Sequence, residues 1–322
     1  MNSRNIRRRS VLAGIALPLI PLPLRAQDNS ALDYVLGYPP GGSADAVGRM
    51  MAEQMARTLA RPVVVINKAG AGTTLAAQYV ALAKVPMLFN ADFATLAAMP
   101  NMVSKALYDP DKDFAPVSMM ARAPMMLAVT STVPVRNLKE FVAWANAMPE
   151  GVPYASAGPG SPHHLSGELV KDLIGAKMTH VPYRGSGPAI QDLLGGQVTV
   201  AVMDLASFKP HAAGGKIRGI AIATLQRSPV APDMPTFNEQ GYKDFEAYAW
   251  QAVVASNATP PELRAKFNAA VHAALNAPEV KARFELLGVE GLPTTPEYAA
   301  AYTRAERARW GEVIRKHNIK ID

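Results

Sequence analysis

Hydrophobic positions change their spacing at a glycine-rich turn near the start of the chain. Residues 32–36 form a short apolar run, which is typical of a β-strand, and Gly37 and two prolines follow it. Beyond the turn, apolar residues recur at helical spacing: Val47, Met50, Met51, Met55 and Leu59. The pattern predicts a strand, a turn at 38–45 and a helix that begins near Ser43.

The same order of strand, glycine turn and helix recurs along the chain. Residues 63–66 are a β-branched run, which indicates a strand buried on both faces, and a glycine turn and a helix at 74–83 follow it. A third strand is predicted at 87–90. Later repeats place helices at 138–147, up to 174, at 188–194 and in the last 63 residues. We therefore predict an α/β fold with helices on both faces of a largely parallel sheet.

Two proline-rich segments, 108–116 and 229–235, interrupt this order. They are interpreted as crossings between two domains. We expect domain 1 to contain 27–123 and 225–322, and domain 2 to contain 124–224. Tyr298, Tyr302 and Trp310 of the last helix are expected to pack on domain 1. A ligand cleft should lie between the domains, since sites form preferentially at domain interfaces.

The first 26 residues are typical of an export signal. They contain five arginines and no acid, an apolar stretch at 11–24 and the small Ala26 before a plausible cleavage point. Both the general secretory and the twin-arginine routes fit this segment. Without these arginines the net charge falls from +7 to +2, which argues against nucleic acid as a partner. The chain has no cysteine, which suits the periplasm.

The turn at 38–45 is a candidate anion site because a helix start exposes N–H groups without partners. It contains Tyr38, Gly42, Ser43 and Asp45. A nucleotide-binding loop would need a lysine after its last glycine, but Ser43 follows Gly42 directly. A tight turn in which Ser43 or Asp45 caps the helix explains the segment equally well.

A second turn, at 154–164, has the same character and falls in the other predicted domain. It contains Ser156, Gly158, Ser161 and His163. A secreted serine hydrolase is the rival interpretation, although Tyr154 stands where Gly-x-Ser-x-Gly needs its first glycine. His163 and His164 are neighbours with no further indicated ligand, so a capping or surface role is favoured over a metal site.

Three more positions follow predicted strands, where open α/β sheets bind ligands. Gly185 lies in a strand-turn-helix junction beside Arg184, and Asn90 ends the third strand. Asp204 follows a strand and is either a helix cap or a ligand acceptor in the cleft.

Taken in order, these motifs resemble the Bug-type solute receptors, the periplasmic binding proteins of tripartite tricarboxylate transporters. The shared segments are 40–45, 62–72, 108–117, 154–158, 164–169, 180–186 and 192–198, so the resemblance covers nearly all of the mature chain.

The resemblance implies two α/β domains, of the type II-like periplasmic binding protein class, that close on a small carboxylate and present it to membrane permease subunits. No catalytic residue, metal or cofactor is implied, and we expect a monomer. The clamp carried over by position comprises Tyr38, Gly42, Ser43, Asp45, Ser156, Gly158, Ser161, His163, Gly185 and Asp204. Asn90 is added to the predicted ligand-binding residues because it ends a strand. A sensor that delivers the same solute to a two-component kinase is a further alternative.

The chain departs from the family pattern at three places. Ala44 replaces a frequent hydroxyl residue, and Val85 lies where the family usually has Asp-Gly before the third strand. Residues 256–258, Ser-Asn-Ala, stand where the family has Pro-Ala-Gly at a crossing between the domains, and Ala258 is the last of the three. We expect the first departure to affect ligand choice and the third to affect hinge flexibility.

Overall fold

A computed structural model describes residues 30–41, 43–105 and 107–321, and of Ser43 only the backbone. The predicted signal peptide at 1–26 lies outside these ranges. The described strands are β1 (Leu32–Leu36), β2 (Val63–Asn67), β3 (Leu88–Asp92), β4 (Phe114–Thr130), β5 (Val152–Ser156), β6 (Met178–Pro182), β7 (Val200–Asp204), β8 (Ile217–Ile222), β9 (Tyr248–Ser256) and β10 (Glu290–Gly291).

The described α-helices surround these strands. They are α1 (Ser43–Leu59), α2 (Thr74–Ala81), α3 (Met99–Met102), α4 (Leu138–Ala147), α5 (Pro162–Ile174), α6 (Ser186–Gly195), α7 (Leu205–Ala212), α8 (Pro261–Asn276), α9 (Pro278–Leu287) and α10 (Pro296–Lys316). A short 3-10 turn, Ala71–Thr73, precedes α2, and a π-helical turn, Ala94–Ala98, precedes α3.

The strands follow the order β2-β1-β3-β9-β4-β7-β5-β6, with β8 and β10 also paired to β4. One group, β2-β1-β3, is parallel, and so is the second group, β7-β5-β6. The antiparallel strands β9 and β4 lie between the two groups. Each parallel group directs the carboxyl ends of its strands, and the turns that follow them, toward one edge.

Strand β4 passes from one group of strands to the other. From Phe114 to Pro124 it pairs with β9, and from Met125 to Thr130 it pairs with β7 and β8. Three backbone bonds join the chain segments at the point of change: Met125 N–H donates to Ala247 O at 2.9 Å, Ala247 N–H to Ala223 O at 3.0 Å, and Ala223 N–H to Met125 O at 2.8 Å. These bonds form a closed ring that joins β4, the segment after β8 and the segment before β9 at the place where the chain passes between the two groups of strands.

The sequence-based elements differ from the structure in a few places. The third strand, predicted at 87–90, is Leu88–Asp92, and the helix predicted at 74–83 ends at Ala81. The apolar stretches on either side of 121–124 form one strand, because the prolines in β4 coincide with register shifts or its change of partner. The proposed domain boundary at 123/124 falls inside this strand and stays a prediction.

The last helix packs against the segment that follows β3 and against β9. The Trp310 ring meets the Phe93 ring edge-on with centroids 5.2 Å apart, and the Tyr302 ring meets the Trp250 ring at 5.7 Å. The prediction was wrong for Tyr298, which is 51% exposed and stacks only on Tyr302. Tyr298 is in the first turn of α10, beyond the edge of the core.

Two of the three departures from the family pattern contact each other. The Ser256 hydroxyl donates to Val85 O at 2.8 Å and accepts from Met87 N–H at 3.1 Å. Ser256 N–H also donates to Met87 O at 3.0 Å. The Ser256 side chain therefore closes the turn at Val85, so the changes at the two places are one coupled structural feature.

Candidate ligand-binding cavity

A cavity of about 1230 Å³ opens where the turns of the two groups of strands face each other. Tyr38, Ala44, Thr74 and Asp92 line it from the first group, and their counterparts from the second group are Ser161, His163, Gly185 and Asp204. Ala121, Arg122, Ala123, Trp250 and Gln251, on the crossing strands β4 and β9, line it as well. This volume lies above the usual range of ~300 to 1,000 Å³ for ligand pockets.

Hydrogen bonds to the Asp45 carboxylate stabilise the first turn. Its Oδ2 accepts from Gly41 N–H at 3.0 Å and from Arg49 Nε at 2.9 Å, and its Oδ1 accepts from Asn67 Nδ2 at 2.9 Å. The bond from Arg49 is the main reason why the pKa of Asp45 is lowered, with the bonds from Gly41 and Asn67 next. Asn67 Nδ2 also donates to Tyr38 O at 2.9 Å, so one carboxylate connects β2, α1 and the turn.

We expect Asp45→Ala to weaken binding of the cavity's ligand about tenfold, because Gly41 and Asn67 lose the acceptor that shapes the turn. Titration calorimetry measures the change in affinity with the acid that the wild type binds most tightly. Glu53→Ala is the matched control, since Glu53 pairs with Arg57 at the same i,i+4 spacing on α1 but is exposed. Equal affinity in both variants would contradict the role of Asp45.

A chain of hydroxyl bonds fixes the carboxylate of Asp92 at the end of β3. The Tyr38 hydroxyl donates to Asp92 Oδ2, and Asp92 Oδ1 accepts from the Thr95 N–H at 2.9 Å and the Thr95 hydroxyl at 2.8 Å. Burial, the charge and hydrogen bond of Asp92, and the charge of Asp204 raise the pKa of Tyr38. The tyrosine therefore stays a neutral donor, and both carboxylate oxygens are occupied.

The Asp204 carboxylate on the second wall is also held by hydrogen bonds, as Asp92 is on the first wall. Its Oδ1 accepts from Ser207 N–H at 2.9 Å, which caps α7, while Oδ2 accepts from His163 Nε2 at 2.6 Å and from Ser207 Oγ at 3.1 Å. Burial acts to raise the pKa of Asp204, but the bonds and charge of His163 and the bonds from Ser207 lower it. Asp204 is therefore the helix cap of one predicted alternative, and it also lines the cavity. Its role as a ligand acceptor stays a prediction.

The geometry of the second turn gives no hydrolase nucleophile. Ser156 is fully buried, and its Oγ lies 2.6 Å from His180 Nε2 and accepts from Gly158 N–H at 3.0 Å. Ser161 Oγ donates to Gly158 O at 2.7 Å and accepts from His164 N–H at 3.2 Å, which caps α5. Neither hydroxyl is paired with His163, whose Nε2 bonds to Asp204 instead.

The helices α2, α5, α6 and α7 begin at the cavity wall, and their first turns differ. Ser161 caps α5 and Asp204 caps α7, so their own side chains occupy the first donors. In contrast, α6 follows Gly185 and α2 follows Thr73, and neither has a side-chain cap. The uncapped helices come from opposite walls, and a helix start without a cap attracts anions.

The structure brings five of the predicted clamp residues to the cavity: Tyr38, Ser161, His163, Gly185 and Asp204. Asp45, Ser156 and Gly158 support the turns and do not line it, and Asn90 lies behind the wall, with Nδ2 3.3 Å from Gln251 Oε1. Gly42 is outside the described residues and the side chain of Ser43 is not described. Their roles in binding stay predictions.

The wall residues Asp92 and Thr74 were missed as ligand-site candidates. Asp92 directly follows Asn90 and Ala91 at the strand end, so the rule that selected Asn90 also pointed to it. Thr74 carries no sequence signal beyond its place at a glycine turn, because its position depends on the fold of the 3-10 turn before it.

None of the helices in the described ranges combines the length and the apolar character needed to span a bilayer. Likewise, no three described histidine, aspartate or glutamate side chains are grouped as metal ligands.

Comparison with known proteins places the chain beside solute receptors. Residues 47–319 match the family described as tripartite tricarboxylate transporter family receptor. The chain is 32% identical over 312 residues to protein BugT of Bordetella pertussis strain Tohama I, covering 96% of this chain and 95% of BugT.

Two solved structures are similar along most of the chain. Rpa4515 of R. palustris with adipate has 30% identity and a TM-score of 0.81, with 90% of this chain and 98% of that chain covered. MatC from Rhodopseudomonas palustris with bound malate has 34% identity and a TM-score of 0.76, with 88% and 98% covered. The predicted fold class, an α/β two-domain binding protein, is confirmed.

Proposed function

Because the chain belongs to the receptor family of tripartite tricarboxylate transporters, we propose that it captures a small organic carboxylate in the cavity between its two walls. It is a solute-binding receptor and not an enzyme, as its motifs indicated. The relatives with bound adipate and malate support a carboxylate as the ligand.

The observation that carries the proposal is the pair of uncapped helix starts on opposite walls of one cavity, at Gly185 and Thr73. Backbone donors there can hold carboxylate oxygens without a lysine. About three charge-assisted hydrogen bonds at ~1.5 to 3 kcal/mol each give a gross gain comparable with the −8 kcal/mol of micromolar binding. The costs of closure reduce that sum.

Two further assignments complete the proposal. The receptor works in the periplasm after cleavage near Ala26, and it delivers its solute to the permease subunits of a tripartite transporter. The hinge for closure lies at the ring of backbone bonds between Met125, Ala223 and Ala247, with domain 1 and domain 2 as given above.

Titration calorimetry against mono-, di- and tricarboxylates and aromatic acids tests the ligand class. We expect at least one acid to bind with a Kd of about 1 to 10 μM, while its neutral diamide or amide does not bind, since uncapped N–H groups select an anion. A folded protein that binds none of these acids, or binds the amide equally well, rules out the proposal.

A deletion strain separates delivery to a permease from delivery to a sensor kinase. Loss of uptake of the acid identified by calorimetry, with its induced genes still expressed, supports transport. Intact uptake with lost induction supports the sensor. Either result leaves the calorimetric test of ligand capture unchanged.

A further inference from the structure

Asp92, at the end of β3, is a buried acid on the cavity wall whose hydrogen-bond partners are all neutral. It is 6% exposed and lines the cavity. Its donors are the Tyr38 hydroxyl, the Thr95 N–H and the Thr95 hydroxyl. None of the ion pairs between described residues includes Asp92. Because buried charges in proteins are normally paired, a ligand in the cavity can supply the opposite charge.

The Oδ2 atom of Asp92 is the oxygen on the cavity side. Oδ1 accepts both bonds from Thr95, which is fully buried and does not line the cavity, whereas Oδ2 accepts only from Tyr38, which does. Burial and Asp92 raise the pKa of Tyr38, and the charge of Asp204 on the opposite wall adds to them. The Tyr38 hydroxyl therefore lies near both acids. Since a carboxylate oxygen has two lone pairs, Oδ2 can accept one more hydrogen bond.

Gln251 places a second acceptor beside Asp92. The two residues are directly opposite each other in the antiparallel pair of β3 and β9, and both line the cavity. Side chains at such positions have Cβ atoms about 4.5 to 5.5 Å apart, on the same face of the sheet. Gln251 Oε1 accepts one bond, from Asn90 Nδ2 at 3.3 Å. An ammonium group has three N–H donors, so it can bond to Asp92 and Gln251 together.

The cationic side chains of the cavity lining do not neutralise Asp92. Arg122 pairs with Glu290 at 2.8 Å, and His163 Nε2 bonds to Asp204 at 2.6 Å. Two further side chains of the lining that can carry a positive charge form no ion pair with Asp92: Lys105 and His211. The wall around Asp92 is therefore negative, and complementary charge there favours a positive group of the ligand.

We propose that Asp92, with Gln251 beside it, binds a cationic amino group of the ligand. The inference rests on the proposed function, in which uncapped helix starts hold the carboxylate of the same ligand. It narrows the ligand class from organic acids to acids that also carry an ammonium group. Asp92 is then the residue that distinguishes an amino-substituted acid from the same acid without its amino group.

The test uses acids of equal carbon skeleton with and without an amino group: 2-aminoadipate with adipate, phenylalanine with 3-phenylpropanoate, and 6-aminohexanoate with hexanoate. Any acid of the wider panel that binds adds its own aminated partner to the set. Calorimetry at pH 7 on the wild type should show, for the pair that binds most tightly, about tenfold higher affinity for the aminated acid. Its N-acetyl derivative, which is neutral at the nitrogen, should lose that gain.

Asp92→Asn removes the charge and keeps an acceptor oxygen for Thr95. We expect this variant to weaken the aminated acid about tenfold and to leave the other acid of the pair within about threefold, because only the first carries the group that Asp92 contacts. Asp109→Asn is the matched control. Asp109 also accepts backbone N–H groups in a turn, but it does not line the cavity, so neither affinity should change.

Melting temperatures show whether a variant disturbs folding, and Asp92→Ser replaces Asp92→Asn if the latter does not fold. If neither variant folds, the comparison of the free and N-acetylated amino acids on the wild type decides. Equal affinity of the wild type for both members of every pair, or for the free and acetylated forms, overturns the Asp92 subsite while ligand capture stands. The same holds if Asp92→Asn keeps the wild-type preference. If no acid, aminated or not, binds the folded protein, the proposed function and the subsite both fall.

Discussion

Replacing Glu306 with alanine is expected to lower the free energy of unfolding by ~2 to 5 kcal/mol, the largest effect of a single substitution that we predict here. Glu306 Oε2 accepts from both buried indoles, Trp250 Nε1 and Trp310 Nε1, each at 2.9 Å. Both tryptophans are almost fully buried, so alanine leaves two donors without water or protein partners. Each unpaired buried group costs about 1 to 3 kcal/mol.

Urea unfolding measured at pH 7 checks this prediction. Glu306→Gln keeps an acceptor oxygen and should lose less than half as much stability as Glu306→Ala. Glu312→Ala is the matched control on the same helix, because Glu312 is exposed, and surface changes are usually within ~0.5 kcal/mol. A Glu306→Ala protein as stable as Glu312→Ala would show that the indoles find other acceptors.

Acidification from pH 7 to pH 5 is expected to destabilise the protein by ~4 kcal/mol through two stacked histidines. The rings of His164 and His180 lie 3.7 Å apart, and burial lowers the pKa of each from 6.5 to about 4. A positive charge on His164 also lowers the pKa of His180. His164 Nδ1 accepts from Gly160 N–H at 3.2 Å, a bond that only the neutral ring can make.

The direction follows from proton uptake. Between pH 6.5 and about 4 the unfolded chain binds more protons than the folded one, so the folded state loses stability as the pH falls. At pH 5 the loss is about 2 kcal/mol for each histidine. The range from pH 7 to pH 5 stays above the usual pKa of carboxyl groups, whose protonation adds to the loss only at lower pH.

Urea unfolding at pH 7 and pH 5 measures the loss. His180→Gln should show about half of it, because one of the two titrating rings remains. His272→Gln is the control, since His272 Nε2 bonds to Thr294 O outside this pair. The same pH dependence in all three proteins would attribute the loss to other groups.

The fold could be predicted from spacing because each strand and helix buries a face that its own residues define. The repeat along α1 illustrates this point. The run at Val63–Asn67 does form a strand, but the prediction that it is buried on both faces was wrong, because β2 is the edge strand and Val64 is 45% exposed. The continuous strand β4 could not be predicted, because prolines such as Pro116 and Pro124 normally end a strand. They are tolerated in β4 because the register shifts beside Pro116 and the strand changes partners after Pro124.

The turns of the site could be predicted from the sequence, but the hydrogen bonds made by their side chains could not. Gly185 and Ser161 were found because glycine and serine at a helix start are local signals. The pairing of Ser156 with His180, rather than with either predicted histidine, depends on β5 and β6 being neighbours in register, with Tyr154 opposite His180. Nothing at either position alone indicates that pairing.

The sequence by itself determined the α/β class, the strand-turn-helix order and the family, because these depend on local spacing and on motifs read in order. Only the tertiary structure decided which side chains support the turns and which line the cavity. Asp45 and Thr74 both follow glycine turns, yet three donors occupy Asp45 while the Thr74 hydroxyl has no partner among the described residues. Gly41 and Arg49 lie near Asp45 in the sequence, but the third donor, Asn67, lies on β2 and meets Asp45 only in the folded chain. Whether a hydroxyl lacks a partner is likewise known only when all its neighbours are in place.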